Sequence, residues 1–174
     1  MTAVAGTAFT AAQFNVYVRD NLNTTAPAVA TTAGRLIVTT GLNAVTERNP
    51  DVSYLATSQG TATTTYIDLA TVGPTITVTT GIKAIVIIGC AISNSTAGSG
   101  GRTSVDLTGA NTQAAADTNS FLIESGNASD AFKGSWVTIF SPLTPGSTQF
   151  RLKYRCVGAA TANFSDRLIA VVPF

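Results

Sequence analysis

The sequence predicts a mainly β protein: an antiparallel β-sandwich, jelly-roll-like, preceded by an N-terminal arm with one short α-helix. A clear helical pattern occurs only within about the first 25 residues. From about residue 52 onward, short strand-like runs alternate with turn-forming residues, giving roughly eight strands in about 120 residues. This number and spacing of strands are typical of a two-sheet antiparallel sandwich, and a jelly roll is the most natural arrangement of eight strands.

The predicted helix runs from about residue 10 to residue 23 and has a well-formed start. Thr10 and Gln13 have the spacing of a capping box, in which each side chain accepts a hydrogen bond from the other residue's backbone N–H. Phe9 and Phe14 occupy the positions of a hydrophobic staple. The local sequence therefore marks the helix N-terminus.

One face of this helix is an apolar stripe, made of three residues spaced four apart and a neighbouring tyrosine: Phe14, Val18, Leu22 and Tyr17. The other face is polar and carries Asn15, Arg19 and Asn23. Because a helix of about 13 residues is marginal alone in water, we expect the apolar stripe to be buried against another surface. The predicted assembly residues of the arm are Phe9, Phe14, Tyr17, Val18, Arg19 and Leu22.

The chain is predicted to have three parts: an anchoring arm (residues 1–34), a connector (residues 35–51) and a β-sandwich head domain (residues 52–174). After the helix, Pro27 and the lack of a helical face predict an extended chain. The connector begins with a strand over residues 35–40. Its remainder, residues 42–51, contains Asn and Pro residues and is predicted to be irregular.

The head domain contains the predicted strands, which cover residues 64–71, 75–79, 83–93, 102–108, 119–125, 132–141, 148–157 and 168–173. The run 83–93 is apolar on both faces, which predicts a central strand. Cys90 lies in this run, and Cys156 shares the inward phase of the 148–157 strand. We expect two reduced, buried thiols, with a disulfide between them as the alternative.

The composition argues against partners that are recruited by charge. Charged residues make up 11% of the chain, against roughly 25% in an average soluble protein, and the net charge is +1. Nothing global therefore attracts nucleic acid or an anionic membrane. No run reaches the ~20 apolar residues of a membrane span and no signal peptide is visible, so we expect a product of the cytoplasm. A surface rich in Thr, Ala, Ser and Gly fits either packing against other subunits or simply a high strand content.

The residues offer little for catalysis. The chain contains no histidine, which removes the usual general base and metal ligand. Its nine carboxylates are scattered, and a glycosidase pair drawn from them is a remote alternative, because sugar clefts also need aromatic platforms and the chain has one Trp. We therefore expect no enzymatic activity, no cofactor and no metal.

A local charge pattern stands out in the 148–157 strand. Arg151, Lys153 and Arg155 alternate with apolar residues and so share one face, which we call the basic stripe. It could dock on an acidic protein surface or across a subunit boundary, or it could be the solvated face of an amphipathic strand, which is the favoured interpretation. Asp166 and Arg167 could pair with it.

Two N-terminal segments and the chain ending resemble small virion proteins of tailed phages that infect actinobacteria. The first segment is Phe9-Thr10-Ala11-Ala12-Gln13-Phe14-Asn15-Val16-Tyr17-Val18-Arg19-Asp20-Asn21-Leu22, and the second runs from Gly34 to Arg48. The ending is similar through Tyr154-Arg155 and through Asp166-Arg167-Leu168-Ile169-Ala170-Val171-Val172-Pro173. The resemblance implies a structural role in the virion, either on the capsid or in the tail, and it carries no catalytic residue.

The favoured expectation is a capsid decoration or minor capsid protein that is a homotrimer and binds the major capsid protein or its own copies through the arm. The basis is size, because 174 residues provide an anchor and one head domain without a shaft. The alternative is a minor tail or tail-fibre protein that binds tail components, with a carbohydrate-binding head domain as a variant of either. In each case the protein is expected in the virion, assembled in the host cytoplasm, without nucleic acid or membrane as partner.

Overall fold

The computed structural model describes Ala8, residues 10–23 and residues 25–174. The chain divides into two compact units, residues 1–48 and residues 49–174. The first contains short helices and a hairpin, and the second contains two antiparallel sheets.

The predicted N-terminal helix is present as a helical segment over residues 11–23. It consists of α1 (Ala11–Phe14), a π-helical stretch (Asn15–Arg19) and α2 (Asp20–Asn23). The predicted capping box is confirmed: Thr10 N–H donates to Gln13 Oε1 at 3.0 Å, and Gln13 N–H donates to Thr10 Oγ1 at 3.2 Å. Phe9, the predicted staple partner of Phe14, lies outside the described residues.

The π-helical stretch is a departure from the regular α-helix that the sequence pattern predicts. Its wider turn is closed by the Asp20 N–H, which donates to the Asn15 carbonyl five residues earlier. Asn15, Val16 and Val18 are weaker helix formers than Ala, and this is where the regular hydrogen-bond pattern changes. The capping box therefore determines where the helix starts, whereas the middle of the segment relaxes to a looser geometry.

The chain after this segment is helical where an extended connector was predicted. α3 (Ala26–Val29) forms one turn, in which the Thr25 carbonyl accepts from the N–H groups of Ala28 and Val29, each at 3.1 Å. Pro27 is compatible with this turn because it occupies the first turn, where a backbone N–H has no intrahelical partner. The prediction treated Pro27 as a helix-breaking residue, whereas in the first turn of a helix proline is tolerated.

Residues 42–51 are not irregular as predicted, because most of them belong to strands. β1 (Leu36–Gly41) pairs antiparallel with β2 (Ala44–Arg48) in a hairpin. Asn43 lies in its turn with φ of 55°, a left-handed conformation that Asn tolerates better than most residues. The turn at Asn43 therefore connects two strands of a hairpin in a segment that was predicted to be irregular.

The second unit consists of two antiparallel sheets. The first sheet contains β3 (Asp51–Leu55), β4 (Gln59–Thr61), β6 (Ala84–Asn94), β9 (Phe132–Phe140) and β11 (Ala162–Pro173). Its order is β3-β11-β6-β9, and β4 also pairs with β11. The second sheet contains β5 (Thr75–Thr80), β7 (Ser99–Gly109), β8 (Ser120–Ser125) and β10 (Gly146–Val157). Its order is β5-β10-β7-β8.

This connectivity confirms the predicted jelly roll. If β3 and β4 are counted as two parts of one edge strand, eight strands remain. They visit the sheets in the order first, second, first, second, second, first, second, first. Two sheets of four antiparallel strands with this alternation form the double Greek key of a jelly roll. The run 83–93 is β6, a central strand as predicted, between β11 and β9.

The core lies between the sheets and is filled by alternate residues of the long strands. On β10 these are Phe150, Leu152, Tyr154 and Cys156, in the inward phase that the alternation predicted. Cys90 and Cys156 are both buried and unpaired, as expected for reduced core thiols. This alternation leaves the opposite residues of each strand on the outer faces of the sandwich.

Residues 64–71 are predicted to be the first strand of the sandwich, but they do not form it. Only Ile67 makes an isolated bridge there, to Tyr154 of β10. The edge strand is instead β3 with β4, because β11 begins at Ala162 rather than at residue 168 and is long enough to pair with both. The pattern of residues 64–71 predicted a strand, but these residues run irregularly along β10 beyond the end of β5.

Candidate functional site

Those residues singled out by the sequence that the structure describes lie at or near the surface. Within the described part of the chain, no three His, Cys, Asp or Glu side chains lie close enough together to hold a metal ion. None of the described helices is long and apolar enough to cross a membrane. The candidate site is therefore described as a set of surfaces.

The apolar stripe of the helical segment is exposed. Phe14, Tyr17 and Leu22 have 52%, 48% and 59% of their surface accessible to solvent. Val18 is partly buried, and none of the residues from 11 to 23 is fully buried. A short helix gains most of its stability from packing an apolar face. The stripe is therefore an uncovered surface of the kind that mediates association.

The charged residues beside the stripe are paired within the same turn. Arg19 forms an ion pair with Asp20, at 2.8 Å from Nη2 to Oδ1. The Asn21 side chain donates to the Tyr17 carbonyl at 2.9 Å. The charge of Arg19, next to the apolar stripe, is therefore balanced by Asp20. The other predicted assembly residue of the arm, Phe9, lies outside the described residues.

The basic stripe lies on the outer face of the second sheet, as the alternation of β10 predicted. Its first two members meet Asp68, which lies in the irregular segment beside β10. Lys153 Nζ is 2.6 Å from Asp68 Oδ2, and Arg151 Nη1 is 3.5 Å from the same oxygen. The carboxylate is about one third exposed, so water partly screens these interactions.

The third member of the basic stripe meets Asp117, at the start of a 3₁₀ turn (Asp117–Asn119) before β8. Arg155 Nη2 is 2.7 Å from Asp117 Oδ2, and Arg102 Nε is 3.8 Å from it. Tyr66 donates its hydroxyl to Asp117 Oδ1 at 2.9 Å, and the Arg155 guanidinium lies 5.4 Å above the Tyr66 ring. The hydrogen bond from Arg155, followed by that from Tyr66, holds the pKa of Asp117 below its ordinary 3.8.

The basic stripe is partly paired within the chain. Asp68 and Asp117 contact all three basic side chains and balance two of their three positive charges, so the stripe is not a purely solvated face and keeps an excess of positive charge. Its docking on another protein surface stays a prediction. Asp166 and Arg167 do not pair with the stripe: Asp166 contacts Lys133 and Tyr54, and Arg167 is fully buried. No spacing in the sequence could identify Asp68 and Asp117, because they reach the stripe from distant, irregular segments.

The outer face of the first sheet carries an apolar surface that the sequence pattern did not predict. It consists of nine side chains on four adjacent strands: Val52, Tyr54, Ile85, Ile87, Val137, Ile139, Leu168, Ala170 and Val172. We call it the apolar sheet face. A signal for it existed, since the run 83–93 is apolar on both faces, but this pattern was used only to predict a central strand.

The comparisons with known proteins give distant likenesses of structure. No family model matches the sequence, and no curated protein matches it. A chain in the structure of infectious bursal disease virus, Gt strain, is similar with a TM-score of 0.43 and 12% identity, covering 78% of this chain and 35% of that chain. The Gx strain structure is similar with a TM-score of 0.38 and 12% identity, covering 74% and 33%.

A third similar structure is dimeric latent PorU from Porphyromonas gingivalis, with a TM-score of 0.31 and 14% identity, covering 68% of this chain and 13% of that one. This chain therefore spans about a third of the length of the two viral chains and less of PorU. None of these comparisons links it to the actinobacteriophage proteins that its sequence resembles.

Proposed function

We propose that this chain is a structural protein of a phage virion, a capsid decoration or minor capsid protein that is anchored to the particle through its N-terminal arm. The observation that carries the proposal is the exposed apolar stripe on the helical segment. Phe14, Tyr17 and Leu22 are each about half exposed on a helix with a complete capping box. Binding of a partner to the uncovered apolar face would bury it and stabilise the capped helix.

The rest of the chain is consistent with this role. The jelly-roll unit of residues 49–174 provides one head domain, and carboxylates of the same chain balance two of the three charges of its basic stripe. The resemblance of residues 9–22 and 34–48 to virion proteins of actinobacteriophages supports a partner within the particle. We propose the major capsid protein as the receiver of the helix, and a homotrimer as the assembled state.

The proposal is tested by placing a charge on the apolar stripe. Phe14→Asp should abolish incorporation of the protein into particles, because burial of an unpaired carboxylate against an apolar receiver is strongly unfavourable. Incorporation is measured by immunoblotting of gradient-purified particles made with the variant as the only copy. Deletion of residues 1–34 should have the same effect, while purified protein keeps its β-type circular dichroism.

The matched control is Asn15→Asp, which adds the same charge one residue later on the polar face of the helical segment. It should be incorporated at the wild-type level. If Phe14→Asp is incorporated as well as Asn15→Asp, the anchoring role of the stripe is wrong. A reconstruction of the particle then decides the site: density for the protein on the capsid surface is expected, and density confined to the tail would replace the decoration role by a tail role.

A further inference from the structure

We infer that the apolar sheet face is a second, separate interface, and that it binds the same face of a second copy of this chain, which for the proposed homotrimer is a subunit of another trimer. The inference uses only residues of the 49–174 unit and does not depend on the anchoring role of the arm. Val52, Val137 and Ile139 are 61%, 57% and 58% exposed, and they lie on the two edge strands of the sheet.

The strand register makes the face continuous. One row crosses all four strands, with Val52 beside Ala170, Ala170 beside Ile87, and Ile87 beside Val137. A second row of Val172, Ile85 and Ile139 lies next to it, and a third begins with Tyr54 and Leu168. Neighbouring strands are about 4.8 Å apart, so side chains in one row are in contact and leave no polar gap in the first two rows.

The size of the face fits a self-association surface. Its exposed side-chain area is on the order of 500 Å², near the upper end for the largest apolar patch on a monomer. Two such faces packed together would remove about 1,000 Å² from water, which is the size at which a specific interface begins. Sheets pack face to face at about 10 Å through side chains of this kind, as they do inside a sandwich.

The distribution of charge favours a second copy over other partners. A two-fold contact brings a surface against itself, so an uncompensated charge in its centre would oppose its own copy. Here the charges lie at the ends. Lys133 Nζ is 2.9 Å from Asp166 Oδ2 at one end, and Asp166 also accepts from the Tyr54 hydroxyl at 2.6 Å.

Lys83 lies beyond the other end of the face, bonded through its backbone to Phe174. A lipid surface would need several free basic residues around the apolar area, and a sugar site would need polar side chains among aromatic ones. The face has one tyrosine, and Lys133 at its end is paired with Asp166. Its chemistry therefore matches a surface like itself.

The experiment compares the molar mass of the full-length wild-type protein with that of two variants, Val137→Lys and Val52→Lys. Both positions are exposed edge-strand sites, so a single copy can keep the lysine in water. Unchanged circular dichroism and a cooperative melting transition will verify folding, and the melting temperature itself should be lower because association stabilises the wild type. In the paired state each substitution would bury two unpaired ammonium groups. We expect sedimentation velocity at about 1 to 100 µM to give variants of half the wild-type mass, with association weakened at least about 100-fold.

The matched control is Thr79→Lys, an outward, exposed position on β5, the edge strand of the other sheet. It should keep the wild-type mass. Val137→Lys should also halve the mass of a protein that carries Phe14→Asp, compared with Phe14→Asp alone. This comparison tests the face separately from the arm. Equal masses for wild type and Val137→Lys, or an equal loss in Thr79→Lys, would overturn the inference and leave the face to a different partner.

Discussion

Arg167 is the most unusual side chain of the core, a fully buried guanidinium without an ion-pair partner among the described residues. It donates to the carbonyls of Thr71 and Thr57, each at 3.2 Å, and lies 5.5 Å from the centre of the Tyr154 ring. Burial of a charge is costly unless hydrogen bonds replace water. The two carbonyls and the ring face provide part of that replacement, whereas the Arg167 Nε has no hydrogen-bond partner. The Arg167 side chain also fills space in the core.

Replacement of Arg167 separates its packing from its hydrogen bonds. We expect Arg167→Ala to lower the free energy of unfolding by about 3 to 5 kcal/mol, because it leaves a cavity and removes both donors. Arg167→Met, which refills most of the volume without a charge, should recover at least about 2 kcal/mol of this loss. Both values come from guanidinium chloride unfolding. An equal loss for the two variants would mean that the hydrogen bonds, and not the packing, determine the contribution.

The two core thiols should be chemically silent in the folded protein. Burial raises the pKa of Cys90 from 9.0 to about 12, so the reactive thiolate is rare at neutral pH. Cys156 is equally buried. We expect neither thiol to react with Ellman's reagent in the native state and both to react in denaturant. Rapid labelling of either thiol in native protein would contradict this placement.

At the scale of the element, β10 gives its two faces different tasks. Its inward residues fill the core, while its outward residues form the basic stripe. The stripe binds Asp68 and Asp117, which come from the segments preceding β5 and β8. These ion pairs connect irregular segments to a central strand, so the stripe orders the outer surface of the second sheet.

The Asp117 contact predicts a pH dependence of stability. The folded-state pKa of Asp117 is lowered from 3.8, so its contribution is present above pH 3.8 and is lost as the pH falls through the lowered value. Asp117→Asn should lower stability at neutral pH by less than about 1 kcal/mol, because the carboxylate is half exposed. Below this pH, the melting temperature of the variant should also decrease less steeply than that of the wild type.

The control for this prediction is Asp106→Asn, which removes a carboxylate from β7, on the same sheet, that forms no ion pair within the described chain. It should reproduce the acid limb of the wild type. If Asp117→Asn and Asp106→Asn give the same curve, the contacts of Asp117 with Arg155 and Tyr66 do not contribute to the acid sensitivity.

At the scale of the whole molecule, the jelly roll presents two unlike outer faces. The second sheet carries a polar surface whose basic side chains are ion-paired with carboxylates of its own loops. The first sheet carries the apolar sheet face. Lys133, which forms an ion pair with Asp166, lies at one end of this face. The N-terminal unit separately contributes the apolar stripe. The two proposed association surfaces are therefore the apolar ones, on the first sheet and on the helical segment.

Several elements could be predicted because their determinants are local. The capping box of Thr10 and Gln13 needs only four consecutive residues, and the alternation of β6 and β10 shows which side chains point inward. Residues 64–71 failed for the opposite reason. Their pattern is that of a strand, but β3 and β4 occupy the edge of β11, and beside β10 only Ile67 pairs, with Tyr154.

The sequence by itself determined the β-rich class, the jelly-roll expectation, the capped helix and its apolar stripe, because these follow from periodicity and from contacts between close neighbours in the chain. Only the tertiary structure decided the partners of the basic stripe, the burial of Arg167 and the continuity of the apolar sheet face. Each of these depends on residues far apart in sequence, such as Val52, Ile87 and Val137, which the sheet register alone brings together. Alternation states which side a residue faces, and the fold decides what lies there.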